Sequence, residues 1–283
     1  MPDFRYVICD VFTDRPLEGN PLAVFTDARR IPEALLQPLA REMHLSETVF
    51  CYPARATGHV RIRIFTPAHE LPFAGHPVLG SAFVLAAPLQ LAEIVLETGV
   101  GPVPVRIDRD GPRIVFGRMV QPVPRVEPFP APTDLMRALG VERAVLPVEL
   151  YDNGPRHVFV ALGGEAEVAA LQPDLQALAR LLPRGTTNCF AGAGRRWKTR
   201  AFAPAAGVAE DPATGSAAGP LACHLARHGR IAFGEEIEIR QGAEIGRPSV
   251  LFARADGTAA AIERVEVGGS AVTVARGEFR LPD

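Results

Sequence analysis

Two stretches of this chain repeat one another in order, and that repeat limits the fold more than any single motif. Leu39-Ala40-Arg41 leads to Phe50, then to Arg63-Ile64-Phe65-Thr66-Pro67-Ala68 and Gly75-His76. Leu178-Ala179-Arg180 leads in the same way to Phe190, then to Arg200-Ala201-Phe202-Ala203-Pro204-Ala205 and Gly215-Ser216, at offsets of 137 to 140 residues. Pro21 with Val24-Phe25 and Pro155 with Val158-Phe159 add a pair at an offset of 134. A repeat this long is no solenoid unit; it predicts two duplicated domains. The copies differ where chemistry would sit. His44-Leu45-Ser46-Glu47-Thr48 meets Arg184-Gly185-Thr186-Thr187-Asn188, a carboxylate in one copy and a hydroxyl in the other. That is the pattern of a cleft enzyme with one principal base.

The chain has 283 residues, enough for two domains of ordinary size. With 47% hydrophobic and 22% charged residues, a substantial core is expected and disorder is not. A formal net charge of −2 leaves no electrostatic footprint for nucleic acid or an anionic membrane. No apolar run approaches the roughly 20 residues that span a bilayer, and Met1-Pro2-Asp3-Phe4-Arg5 lacks a signal-peptide layout, so a cytoplasmic protein is expected. Cys9, Cys51, Cys189 and Cys223 are widely spaced without a CxxC pair, which argues against a metal or disulfide framework. Cys51 and Cys189 flank the two Phe landmarks and are expected to pack as small apolar groups.

Short strands dominate both halves. Residues 59–65 alternate apolar and polar side chains, as a half-buried strand does, and similar segments recur at 5–9, 22–25, 93–97, 103–107, 113–116, 157–161, 236–240, 250–253 and 272–275. Helices are predicted over 32–43 and its counterpart 173–182, and again from Gly75 and over 215–228. The segment after Gly75 is apolar nearly all round, the mark of a buried helix, and Pro77 suits its first turn. Gly229 stands as a C-terminal stop for the second buried helix, and Pro220 is expected to limit how early its regular hydrogen bonding begins. The fold class is therefore α+β: two pseudo-symmetric domains, each a curved sheet wrapped around a central helix. The segment 101–119 should close the first domain, with a linker near Gln121-Pro122-Val123-Pro124. The expected boundaries are 1–119 and 120–269; whether 270–283 return to the first domain stays open.

A helix N-terminus carries unpaired N–H groups and the positive end of a dipole, and glycine there lets an anion approach the backbone. Gly75-His76 and Gly215-Ser216, related by the repeat, are expected to converge on one cleft that holds a small carboxylate-bearing substrate. Either glycine alone reads first as a tight turn before a buried helix; the duplication reverses that preference. Glu47, if buried there, would rise from ~4.3 towards the ~6–7 suited to proton transfer near neutrality. Asp211, just before the second helix start, could orient a ligand ammonium or a histidine, or simply form a turn beside Pro212. His76 could relay a proton or bind a hydroxyl, or be a satisfied buried histidine. His224 and His228 have the i, i+4 spacing of metal ligands but no evident carboxylate or cysteine partner, so a surface or capping role is expected. The run from Gly192 to Thr199 has the wrong spacing for a phosphate loop and reads as a turn into a strand.

Leu17-Glu18-Gly19-Asn20-Pro21, Leu45-Ser46-Glu47, Glu70-Leu71-Pro72-Phe73-Ala74-Gly75-His76-Pro77 and Asp211-Pro212-Ala213-Thr214-Gly215-Ser216-Ala217 together resemble the PhzF family of phenazine-biosynthesis isomerases. The similarity covers essentially the full length, with segments 151–160, 188–196 and 215–229 resembling the isomerase itself. It implies a diaminopimelate-epimerase-like fold, a homodimer, no cofactor, and trans-2,3-dihydro-3-hydroxyanthranilate as substrate. It also implies that Glu47 moves the proton from ring carbon 3 to ring carbon 1, assisted by His76 and Asp211. Ser46, Gly75, Gly215 and Ser216 would hold the substrate carboxylate, and Asn20 would line the cleft. Two other readings stand beside it: a cofactor-free amino-acid racemase or epimerase, in which Glu47 and Asp211 serve as two bases, and a non-catalytic small-molecule binding protein.

Overall fold

The computed structural model describes residues 3–280, so readings that touch residues 1, 2 and 281–283 lie outside the described residues. The chain forms two compact units, one made of the described residues up to Val120 together with those from Gly268 onward, the other of Gln121–Val267.

In the first unit β1 (Asp3–Val11) runs antiparallel to β2 (Asn20–Phe25), and α1 (Glu33–Met43) crosses over to β3 (Glu47–Pro53), parallel to β2. β4 (Val60–Phe65) is antiparallel to β3, β5 (Glu70–Leu71) is antiparallel to β4, and α2 (Gly75–Leu89) crosses to β6 (Glu93–Thr98), parallel to β4. β7 (Gly101–Asp110) follows antiparallel to β6, then β8 (Arg113–Gln121) antiparallel to β7. The closing segment read over 101–119 is thus a hairpin rather than one strand, reversed at Gly111 with φ 56°. The last strand, Ala271–Arg280, returns to lie antiparallel to β1.

The second unit repeats this order. After β9 (Arg125–Pro128) and α3 (Pro132–Leu139), β10 (Glu149–Asp152) runs antiparallel to β11 (Arg156–Ala161). The short helices α4 (Glu165–Ala169) and α5 (Leu175–Leu181) cross over to β12 (Thr186–Ala193), parallel to β11. β13 (Arg196–Ala203) is antiparallel to β12, β14 (Val208–Asp211) is antiparallel to β13, and α6 (Gly215–Arg227) crosses to β15 (Ile237–Gln241), parallel to β13. β16 (Ser249–Gly257) pairs antiparallel with β15, and β17 (Ile262–Gly269) leads out to the C-terminal strand β18 (Ala271–Arg280). In each unit a helix with a buried first turn, α2 or α6, packs on the inner face of its own sheet.

The register corrects the alignment drawn from the sequence by one residue. Arg63 lies opposite Phe50 on β3, and its counterpart Arg200 lies opposite Cys189, not Phe190. Phe50-Cys51 therefore corresponds to Cys189-Phe190, with the large and small side chains exchanged between layers. A one-residue slip along a strand moves a side chain to the opposite face. Phe50 packs outward with Phe25 and α1, whereas Phe190 packs inward against Trp197 and His224 of α6. Likewise Phe25 pairs with Phe50 as Val160 pairs with Cys189, so the offset of 134 for that strand is one short. The central helices compensate. α2 buries Val78, Leu79 and Phe83 in the unit whose strand carries the small Cys51 on that face, while α6 buries Ala217, Ala218, Ala222 and Cys223 in the unit that carries Phe159 and Phe190 there. The bulk thus sits on the helix in the first unit and on the strands in the second, as close packing of an interior requires.

Pro220 does not delay α6, which begins at Gly215. A proline at 220 deprives the Ser216 carbonyl of its i+4 donor, and Asn153 Nδ2 donates to that oxygen instead at 2.9 Å. Gln121 Nε2 similarly donates to the Gly215 carbonyl at 2.8 Å. Gly229 follows the helix with φ 65°, as the stop signal predicts.

Candidate active site

Parallel strands joined by a crossover begin at the same end of a sheet, so residues at their starts meet. In the first unit, β2 starts at Asn20, β3 starts at Glu47, and Glu47 pairs with Leu22 across the two strands. α2 starts at Gly75, and its second residue, His76, faces both strand starts. His76 Nδ1 lies 3.2 Å from Asn20 Nδ2 and 3.4 Å from Glu47 Oε2. The shorter contact makes Nδ1 the acceptor of the Asn20 amide, which leaves Nε2 to carry the proton. Burial pushes the His76 imidazole down to about 3, so at neutral pH it is uncharged and its contact with Glu47 is not an ion pair. Its Nε2 has no hydrogen-bond partner among the described residues. The chain reaches Asn20 through Gly19 at φ 67°, where an added Cβ would lie 2.4 Å from the Val11 carbonyl oxygen, so only glycine fits the turn. Ser46 is half-buried immediately before β3.

The second unit holds Asp211, Gly215 and Ser216 in one buried segment. Thr214 Oγ1 donates to Asp211 Oδ2 at 2.7 Å, which fixes the carboxylate beside the start of α6. Gln241, at the end of β15, binds the whole loop. Its Nε2 donates to the Asp211 carbonyl at 2.7 Å and to Thr214 Oγ1 at 2.9 Å, while its Oε1 accepts from Thr214 N at 3.2 Å and Thr199 Oγ1 at 3.1 Å. Sequence reading missed Gln241, Asn153 and Gln121, which lie far from the motifs. One signal for the first was present: Ile237, Ile239 and Gln241 share a strand face, so an amide continues an apolar stripe.

Across the repeat, equivalent positions differ in chemistry. Glu70-Leu71-Pro72-Phe73-Ala74-Gly75-His76 aligns with Glu210-Asp211-Pro212-Ala213-Thr214-Gly215-Ser216 through the β4–β5 and β13–β14 pairings. Leu71 thus matches Asp211, and His76 matches Ser216. Position-by-position comparison of the sequences set Glu47 against Thr187. The register sets it against Thr186, since Thr48 opposes Phe65 as Thr187 opposes Phe202. A hydroxyl still stands in the second copy, but on the face that carries α6.

The carboxylate that sequence reading did not find for His224 and His228 is Glu149. Its Oε2 lies 3.1 Å from His224 Nδ1 and 3.0 Å from His228 Nε2, and the three side chains form a ligand-type group within 4.8 Å. The same oxygen also accepts from Arg227 Nη1 at 3.0 Å and Tyr151 Oη at 3.0 Å. Burial works to raise the Glu149 pKa, but hydrogen bonds from His224, His228 and Tyr151 and the Arg227 charge hold it below the usual carboxylate range. With a guanidinium already neutralising the carboxylate, this cluster serves to clamp the last turn of α6 to β10. The four cysteines are buried and free, and burial pushes the Cys51 and Cys223 thiols up to about 12, so they behave as apolar groups. Among the described residues no helix is long and apolar enough to cross a membrane.

Comparison with known proteins agrees with this architecture. The trans-2,3-dihydro-3-hydroxyanthranilate isomerases of Pseudomonas chlororaphis and Pseudomonas fluorescens are each 52% identical over 277 residues, covering 98% of this chain and 99% of the relative. A solved structure of a predicted epimerase from Pseudomonas aeruginosa matches with a TM-score of 0.83 at 30% identity, over 99% of this chain and 100% of that one. A probable proline racemase from Agrobacterium radiobacter shares the fold, with a TM-score of 0.71 at 14% identity over 99% of this chain and 93% of that one. The family model described as phenazine biosynthesis-like protein matches residues 9–277. The chain belongs to this PhzC-PhzF family.

Proposed function

We propose that this protein is a trans-2,3-dihydro-3-hydroxyanthranilate isomerase of phenazine biosynthesis, with Glu47 as the group that moves the proton. The observation that carries the proposal is the assembly of Glu47, His76 and Asn20 in one half-site, with a threonine at the position equivalent to Glu47 in the other copy. Two relatives of that activity at 52% identity supply the substrate class. In the proposed step Glu47 takes the hydrogen from ring carbon 3 as a proton. The C3–H electrons form the C3=C4 bond, the C4=C5 pair shifts to C5=C6, and the C6=C1 pair takes the proton back from Glu47 at carbon 1. The product enol at carbon 3 then becomes the ketone. Proton count and charge balance through one carboxylate, so the step as written requires no cofactor.

The neutral His76, its Nδ1 committed to the Asn20 amide, lies against the Glu47 carboxylate without an ion pair and so does not compete for its proton. Asp211 pairs with the substrate ammonium, and the helix starts at Gly75 and Gly215 with Ser46 and Ser216 hold its carboxylate. Closure around the ring would keep the migrating proton from exchanging with water. A cytoplasmic homodimer is part of the same proposal. The two-base racemase reading is weakened by the repeat, because Glu47 and Asp211 are not equivalent positions: Thr186 matches Glu47 and Leu71 matches Asp211.

The test is NMR of the purified protein with trans-2,3-dihydro-3-hydroxyanthranilate in deuterated water, wild type against Glu47→Gln. Wild type should consume the substrate and retain original hydrogen at carbon 1, while the variant should bind but lose at least ~100-fold in rate, the scale of general-base catalysis. Consumption by the Glu47→Gln variant at the wild-type rate would refute the assignment.

A further inference from the structure

His157 on β11 occupies the position where the first unit has Leu22: Leu22 pairs with Glu47 across parallel strands, and His157 pairs with Thr186. Leucine there needs no partner. His157 is 1% exposed, and neither ring nitrogen has a hydrogen-bond partner among the described residues. A buried polar group left unmet is costly, and the fold itself does not demand one, since its other copy is built with an aliphatic side chain.

The direction of the imidazole follows from strand alternation. Phe159, two residues on, stacks on His224 of α6 with centroids 5.7 Å apart and 24° between planes, so His157 lies on the α6 face. Position along the helix follows from β12. Phe190 meets His224 near the end of α6, while Asn188 shares a small cavity with Thr214 and Ala217 at its beginning. Thr186, one step further, brings His157 to the end of the sheet where α6 starts. Asn153, from the same β10–β11 hairpin, reaches the first turn through its bond to the Ser216 carbonyl, and its Oδ1 is buried and without a partner among the described residues. Two buried polar side chains with uncommitted atoms therefore flank the Gly215-Ser216 start.

We propose that His157 is a substrate-contacting residue that donates a hydrogen bond to the carboxylate of the ligand held at the first turn of α6. The inference rests on the isomerase reading above and adds to it a residue that none of the quoted motif roles includes. Burial holds the imidazole down to about 3, so it acts as a neutral donor rather than as a cation.

The experiment compares wild type, His157→Leu and His157→Gln for thermal stability, for the Kd of 3-hydroxyanthranilate by calorimetry, and for kcat and KM. 3-Hydroxyanthranilate is the aromatic analogue, with no carbon-3 hydrogen to give up. His157→Leu removes both orphaned nitrogens and should melt no lower than wild type, yet bind the analogue at least about tenfold more weakly, with KM rising more than kcat falls; tenfold corresponds to about 1.4 kcal/mol. His157→Gln, which restores an N–H donor, should recover part of that loss. Wild-type affinity in His157→Leu would overturn the inference while the isomerase reading stood. A lower melting point in both variants with unchanged Kd would assign His157 to the core and overturn it too. Absence of binding and turnover in the wild type would overturn the isomerase reading and this inference together.

Discussion

The repeat supplies a built-in control for the energetics of one ion pair. Arg63 and Arg200 are equivalent, and each holds the equivalent glutamate in a two-bond fork. Arg63 binds Glu70 at 2.7 and 2.7 Å, and Arg200 binds Glu210 at 2.9 and 2.7 Å. Their surroundings differ. Glu70 and Glu33, the partners of Arg63, are 41% and 76% exposed, whereas Arg200 and Glu210 are 9% and 10% exposed. Arg200 Nη1 also donates to the carbonyl of Ala169, the last residue of α4, at 3.1 Å and to that of Leu171, just beyond it, at 2.7 Å. Arg63→Met should cost about 1 kcal/mol or less, because water can replace the lost cation. Arg200→Met strands a buried carboxylate and two carbonyls, and should cost ~3–5 kcal/mol. Adding Glu210→Leu to Arg200→Met should recover part of this by removing the orphaned charge. Urea denaturation followed by fluorescence isolates the second unit, since Trp197 on β13 is the one tryptophan in the chain; far-UV circular dichroism follows both units. Equal costs for the two arginine variants, or a double variant less stable than Arg200→Met alone, would refute the argument from burial.

Two further predictions follow from burial and packing. His76 and His157 are each pushed from 6.5 in the unfolded chain down to about 3. The unfolded state therefore takes up protons first as pH falls, so stability is full above ~6.5 and declines towards pH 3 by ~1.4 kcal/mol per pH unit per histidine. Unfolding free energy measured between pH 7 and 5 should show that slope, and His157→Leu should remove its share; an unchanged slope in the variant would contradict the assignment. Exchanging Phe50 and Cys51 by the double substitution Phe50→Cys, Cys51→Phe copies the second unit's order into the first. It should open a cavity beside α1 and overpack α2, costing at least ~3 kcal/mol by denaturation; a near-neutral result would show that the two layers are interchangeable.

The sequence revealed those features that depend on local pattern. Period-2 alternation located the strands, and an apolar run after each Gly75-type glycine located α2 and α6. The repeat carried the order of elements from one half to the other, because duplicated strands and crossovers keep their pairing partners. The register was not legible from the same landmarks. Matching Phe to Phe placed Phe50 with Phe190 and Glu47 with Thr187, and the inversion of Phe-Cys to Cys-Phe concealed the one-residue error. Only hydrogen-bonded pairing fixes which face a residue occupies.

The site divides along the same line. His76, Asp211 and the two helix starts are visible in sequence because each lies beside an element boundary punctuated by glycine or proline, and Glu47 is visible because the repeat puts a threonine opposite it. Glu149 lies about seventy-five residues from His224 and reaches it only through the packing of β10 against α6. Gln241, Asn153 and Gln121 are likewise brought to the start of α6 by long-range pairing. The sequence by itself determined the duplicated framework and which residue types could do chemistry. Tertiary structure alone decided which groups became neutral, paired or orphaned, because burial and hydrogen bonding belong to neighbours distant along the chain.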